Sequence, residues 1–119
     1  MSDNYWNDYT FFIKRAEELT NISPAELIER YDEFIKGLAD GYYYDDLGYE
    51  FDNDFYIREL IDKIINDIQL QNNQLIVDFS EKIKMLDINC KRFLIIEDQK
   101  RNWWKNVKIN QDEIKNASR

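Results

Sequence analysis

Six carboxylates and seven aromatic rings fall within residues 37–57: Asp40, Asp45, Asp46, Glu50, Asp52 and Asp54, with Tyr42, Tyr43, Tyr44, Tyr49, Phe51, Phe55 and Tyr56. The same window has no lysine or arginine, and it holds all three glycines of the chain, Gly37, Gly41 and Gly48. Three chemistries are open to such a set. Paired carboxylates do acid–base work in glycoside hydrolysis. Clustered carboxylates hold hard cations. Carboxylates interleaved with tyrosines bind a basic protein surface, the rings giving contact area at low rotamer cost and the charges steering and orienting the partner.

The calcium reading fails on spacing. An EF-hand loop needs glycine at its sixth position and glutamate at its twelfth. Counted from Asp45, those positions are Glu50 and Tyr56; from Asp46 the twelfth is Ile57; from Asp52 they are Ile57 and Lys63. Catalysis has little to draw on. The chain has no histidine, which removes Ser-His-Asp and Cys-His nucleophile systems and most zinc sites. No glycine pattern cradles a phosphate. Cys90 falls on an apolar helical face and reads as a buried structural thiol. The expectation is a protein that is not an enzyme and takes no cofactor and no metal. Binding of a protein partner is left as the leading chemistry.

Charge points the same way. The formal net charge is −8, which disfavours nucleic acid or an anionic membrane as a direct partner. Its distribution is uneven: residues 1–36 carry eight acids and four bases, residues 37–57 six acids and no bases, and residues 58–119 ten acids and twelve bases. All of the net acidity therefore lies in the first half. One cysteine permits no intrachain disulfide, which favours a reducing, cytoplasmic setting. No secretory signal opens the chain, and no apolar run approaches the ~18 residues of a membrane span. A chain of 119 residues, 44% hydrophobic, suits one folded domain over 1–119, with frayed ends at 1–3 and 115–119.

The elements that must position the acidic window read as helices. Trp6, Tyr9, Phe12, Ile13, Ala16 and Leu19 recur at helical spacing, and Thr20-Asn21 ends that stretch. Ser23-Pro24-Ala25-Glu26 is a helix start: serine caps, proline suits the first helical position, and glutamate is the capping-box partner. Leu27, Ile28, Tyr31, Phe34, Ile35 and Leu38 follow as a stripe, stopped at Gly37 or Gly41. A third helix is marked by Ile57, Leu60, Ile61, Ile64, Ile65 and Ile68, capped by Asp52 or Asp54. The fourth runs over about 74–96, with Leu94-Ile95-Ile96 as its last turn, because no partner strand is in view. Residues 97–102 read as a loop, and Asn110-Gln111-Asp112-Glu113 as the start of a short C-terminal helix. The whole is an all-α bundle of four main amphipathic helices.

Three consecutive tyrosines, 42–44, span too wide an arc for one neighbour to bury them all. The preferred reading is an interaction surface; the alternative packs one or two rings and leaves the rest solvated. The expected partner-binding residues are Tyr42, Tyr43, Tyr44, Asp45, Asp46, Tyr49, Glu50, Asp52 and Asp54. Trp103-Trp104 reads chiefly as a core anchor, with one ring free to face outward because adjacent side chains diverge. The basic residues around it, Lys100, Arg101, Lys105 and Lys108, balance the acidic half in preference to binding nucleic acid.

Asp40-Gly41-Tyr42-Tyr43 after an amphipathic helix, with Asp45-Asp46 and a later Asp52-Asn53-Asp54, resembles the helical immunity proteins of nuclease bacteriocins. In that family a tyrosine pair and neighbouring acids bind the toxin; the matching residues here are Tyr42, Tyr43, Asp45 and Asp46. Leu86-Asp87 at a helix end, followed by Trp103-Trp104, is similar to immunity proteins of contact-dependent growth inhibition. These resemblances imply a cytoplasmic immunity protein. It would bind its cognate toxin about 1:1, the toxin being a basic nuclease domain, and occlude the cationic active site or substrate groove. The alternatives are a nucleic-acid mimic that inhibits a defence nuclease and an adaptor subunit of a larger assembly.

Overall fold

Helix boundaries follow from local chemistry wherever that chemistry is strong. In the computed structural model residues 3–43, 49–98, 102–110 and 112–113 are described, with the backbone alone for 3, 4 and 49. The helices among them are α1 (Asp3–Thr20), α2 (Pro24–Ala39), α3 (Tyr49–Ile65) and α4 (Gln74–Lys91), followed by a two-stranded sheet of β1 (Leu94–Ile96) and β2 (Val107–Ile109). Short 3-10 turns occupy Ile68–Leu70 and Trp103–Lys105. The fold is an all-α four-helix bundle with a small antiparallel sheet.

Ser23 caps α2, its hydroxyl accepting from the Glu26 N–H at 3.2 Å, with Pro24 in the first turn. The Glu26 carboxylate pairs with Arg30 one turn on, at 3.2 Å. α4 is capped twice. Asn73 Oδ1 accepts from the Leu75 N–H at 2.9 Å, and Asp8 Oδ2 of α1 accepts from the Gln74 N–H at 3.0 Å. A carboxylate at a helix N-terminus suits the macrodipole, so this contact fixes where α1 meets α4.

α2 packs on α3 and α4, and α1 lies across both α3 and α4. Leu27, Tyr31, Leu38, Ile61, Ile64, Leu70, Ile83 and Cys90 are fully buried between them. Each large apolar side chain removed from water in this way contributes about 1.5–3 kcal/mol before entropy is counted. α1 is tied to the turn after α3 by Arg15, whose Nε and Nη2 donate to Asp67 at 3.0 and 2.8 Å.

A polar network also lies in the interior. Arg58 of α3 is 6% exposed and grips Asp87 of α4 with Nε at 2.9 Å and Nη2 at 3.0 Å. Tyr31 of α2 donates to the same carboxylate at 2.6 Å. Arg58 Nη1 has no hydrogen-bond partner among the described residues. The guanidinium instead lies 4.3 Å from the Trp104 ring centroid, where the π face takes the place of an acceptor.

Several boundaries differ from the sequence expectation. α3 starts at Tyr49, so Asp52 and Asp54 lie inside the helix and neither caps it. The reason is Phe51 and Phe55, spaced one turn apart and both packed on Phe34. α3 stops at Ile65, and Ile68 is 88% exposed in the turn that follows, while Leu70 takes the core position. Trp6 and Tyr9, at core spacing on α1, are exposed at 59% and 41% and pack edge-on against each other.

Leu94-Ile95-Ile96 is a strand and not the end of α4. Its partner is Val107-Lys108-Ile109, in the register Leu94↔Ile109, Ile95↔Lys108, Ile96↔Val107. β-branched residues favour the pleated surface, and after the 3-10 turn at Trp103–Lys105 the chain pairs with β1. Trp103 and Trp104 are both buried, at 5% and 6%, because their 3-10 turn places the rings at 89° and each finds its own wall of the core. Trp103 meets Phe55, and Trp104 meets Arg58. Asp112 and Glu113 are helical and Asn110 is not, while Gln111 and residues 114–119 lie outside the described residues; of the ends expected to fray at 1–3 and 115–119, Asp3 is the first residue of α1 and the others lie outside the described residues.

Candidate functional site

The end of α2 creates the site. Gly41 takes φ 79°, donates to the Leu38 carbonyl at 3.1 Å, and the Tyr42 N–H donates to the Gly37 carbonyl at 2.9 Å. This pair of bonds is a Schellman motif with glycine at the left-handed position. It reverses the chain so that consecutive tyrosines part: Tyr42 is 63% exposed and Tyr43 only 4%.

Tyr43 is the floor. Its ring packs on Phe34 at 5.3 Å and edge-on against Phe51 at 5.9 Å. It also lies close against Gly37, where an added Cβ would stand 3.3 Å from Tyr43 Cε2. Its hydroxyl donates to Asp54 Oδ2 at 2.5 Å. Burial, then this bond to a carboxylate, push the Tyr43 phenol well above its ordinary pKa. Tyr43 therefore stays a donor at neutral pH and holds the α2 turn against the start of α3.

Between α2 and α3 lies a groove of about 560 Å³. Glu33 and Asp40 line it from α2 and its cap, Asp54 and Tyr56 from α3, and Tyr42 and Tyr43 from the turn. Arg30 is the basic residue in the lining, and its guanidinium is already paired with Glu26 at 3.2 Å. Tyr42 and Tyr56 stand 63% and 52% exposed. The groove thus offers carboxylates beside exposed aromatic rings, which suits an ammonium or guanidinium group.

Of the residues expected from the sequence to bind a partner, Tyr42, Tyr43 and Asp54 line this groove, with Tyr43 buried beneath it and not on its surface. Glu50 is exposed in the first turn of α3. Asp52 is exposed on the other side of α3, in a separate recess of about 210 Å³ shared with Tyr56, Glu59, Trp104 and Lys105. Tyr44, Asp45, Asp46 and the Tyr49 side chain lie outside the described residues. Sequence reasoning missed Glu33, Asp40 and Tyr56. Glu33, Gly37 and Asp40 sit at i, i+4 and i+7, so helical spacing alone places them on one face of α2. Tyr56 falls within the acidic, aromatic window, but its place beside both α2 and the C-terminal turn comes from how α3 packs and not from its spacing.

Among the described residues no group of three metal-ligating side chains converges, and no helix is long and apolar enough to cross a membrane. Comparison with known protein families, with curated proteins and with solved structures found no match.

Proposed function

We propose that this chain is an immunity-type inhibitor that binds a basic toxin domain, in the leading case a nuclease, and covers its cationic active site or substrate groove. The observation that carries the reading is the groove between α2 and α3, where exposed Tyr42 and Tyr56 flank Glu33, Asp40 and Asp54. A nuclease must present cationic surface to phosphate. An acidic surface on rigid helices captures that surface quickly through electrostatic steering, and aromatic anchors then slow its release.

A second reading, an adaptor subunit, is favoured by the outer face of α4, where Val77, Met85 and Ile88 are 61%, 64% and 61% exposed. The two separate by salt, since electrostatic capture weakens with ionic strength and apolar docking scarcely responds.

The test is capture from a lysate of the source cells on the immobilised protein, washed at stepped salt and read by mass spectrometry. Recovery of one basic polypeptide at about 1:1, released as salt rises, and whose nuclease activity falls on adding this protein, is the expected result. Recovery of a salt-insensitive multi-subunit complex, or of no salt-sensitive partner, overturns it.

A further inference from the structure

We infer that the partner-binding surface crosses α3 and includes the C-terminal turn, forming a two-part site for a segment of a basic protein that places cationic side chains on both sides of Tyr56. This rests on the proposed function and deepens it.

The argument begins with helix geometry. At 100° per residue, positions i−4 and i+3 lie on one side of a helical residue, and i−3 and i+4 on the other. For Tyr56 the first pair is Asp52 and Glu59 and the second is Asn53 and Leu60. The cavities obey this division: Asn53 and Leu60 line the α2–α3 groove, while Asp52 and Glu59 line the recess beside Trp104 and Lys105. Tyr56 lines both and is 52% exposed. It is a ridge with a recess on each flank.

The second recess already pairs one of its carboxylates with a cation of this chain. Lys105 Nζ stands 3.4 Å from Glu59 Oε1, and the Trp104 indole N–H donates to Glu59 Oε2 at 2.8 Å. The Lys105 side chain is 50% exposed, and exposed ion pairs of this kind are weakly held. A partner arginine offers a planar fork that pairs bidentately and stacks on an aromatic face, neither of which lysine does as well. Asp52 adds a further carboxylate. The recess therefore suits a guanidinium that displaces Lys105 and lies against Tyr56, while a neighbouring cation enters the α2–α3 groove.

The test uses a hexa-arginine peptide amide as the probe, titrated into ¹⁵N-labelled full-length protein at low salt, with hexaglutamate as control. Gly37 reports on the first groove through its backbone N–H, and Trp104 on the second through its indole N–H. Both resonances are expected to move along one saturation curve, and Lys105→Ala is expected to tighten binding about two- to fivefold. Movement of Gly37 with Trp104 unmoved would confine the surface to the first groove and overturn the two-part site, leaving the toxin-binding reading standing. No site-specific movement, or equal movement over the acids of α1 and α4, would also overturn it. Failure of the toxin-binding reading shows separately, as the absence of a salt-sensitive partner in the lysate.

Discussion

The Tyr43 hydroxyl donates to the Asp54 carboxylate across the junction of α2 and α3. One residue comes from a turn built by Gly41, the other from the second turn of a helix beginning at Tyr49. Both residues line the groove between these helices. Tyr43→Phe keeps the ring packing and removes the donor, so a loss of about 1–2 kcal/mol in urea unfolding is expected. An unchanged midpoint would mean that ring packing alone holds the junction.

Gly37 is needed for close approach. An alanine there gains about 1 kcal/mol of helix propensity, but its Cβ meets Tyr43 Cε2 at 3.3 Å. Tyr43 is wedged by Phe34 and Phe51 and held by Asp54, so it yields poorly, and overpacking costs about 1–3 kcal/mol. Gly37→Ala is expected to destabilise by about 1 kcal/mol and to shift the Tyr43 ring resonances. A stabilised variant would show that the ring moves freely.

Arg58 and Asp87 stand or fall as a pair. Removing either partner strands a charge in the interior, at about 3–5 kcal/mol. Arg58→Met is expected to cost that much, and Arg58→Met with Asp87→Leu distinctly less than the two single changes added together. A double-mutant cycle in chemical denaturation measures the coupling, and near-ultraviolet circular dichroism reports whether Trp104, which rests on Arg58, keeps its place.

Acid weakens this fold through two carboxyls. The Arg15 hydrogen bonds hold Asp67 below the usual carboxylate range, and the Trp104 N–H does the same for Glu59. Unfolded carboxyls titrate near about pH 4, so the unfolded chain binds these protons first on acidification. The stability they contribute is present above about pH 4 and lost as pH falls through the depressed folded values. Urea midpoints measured down to about pH 2 should show this fall, flattened in Asp67→Asn.

Base acts with the opposite sign. Burial raises the Tyr31 and Tyr43 phenols, and pushes the Cys90 thiol up to about 12. A raised folded value means stability that is present below the unfolded pKa, about 10 for tyrosine, and lost as pH rises through the folded one. Tyr31 and Tyr43 should ionise only with unfolding, seen as a late step in tyrosinate absorbance coincident with loss of helix. Ionisation of all tyrosines ahead of unfolding would contradict their placement.

On the binding surface, charge and aromatic area should separate kinetically. Glu33→Lys with Asp40→Lys is expected to slow association with the basic partner steeply at low salt, and Tyr42→Ala to speed dissociation at a cost of about 2 kcal/mol. Stopped-flow traces unchanged by both substitutions would remove the α2–α3 groove from the interface.

Features that depend on neighbours within a turn or so are legible in the residues. Ser23-Pro24 starts α2 and Gly41 ends it, because a cap and a left-handed glycine are satisfied by atoms up to five positions away. The stripes of α2 and α4 likewise report their buried faces, including Cys90. The boundary of α3 is less legible, since Phe51 and Phe55 make that stretch helical by packing on Phe34 of another helix. Other features need partners far along the chain. Arg58 and Asp87 are 29 residues apart, Trp104 and Glu59 are 45 apart, and β1 becomes a strand because Val107–Ile109 returns to it. Placement of Tyr56 between two recesses belongs with these, for a side chain's neighbours across a bundle are chosen by how the helices pack and not by its own spacing.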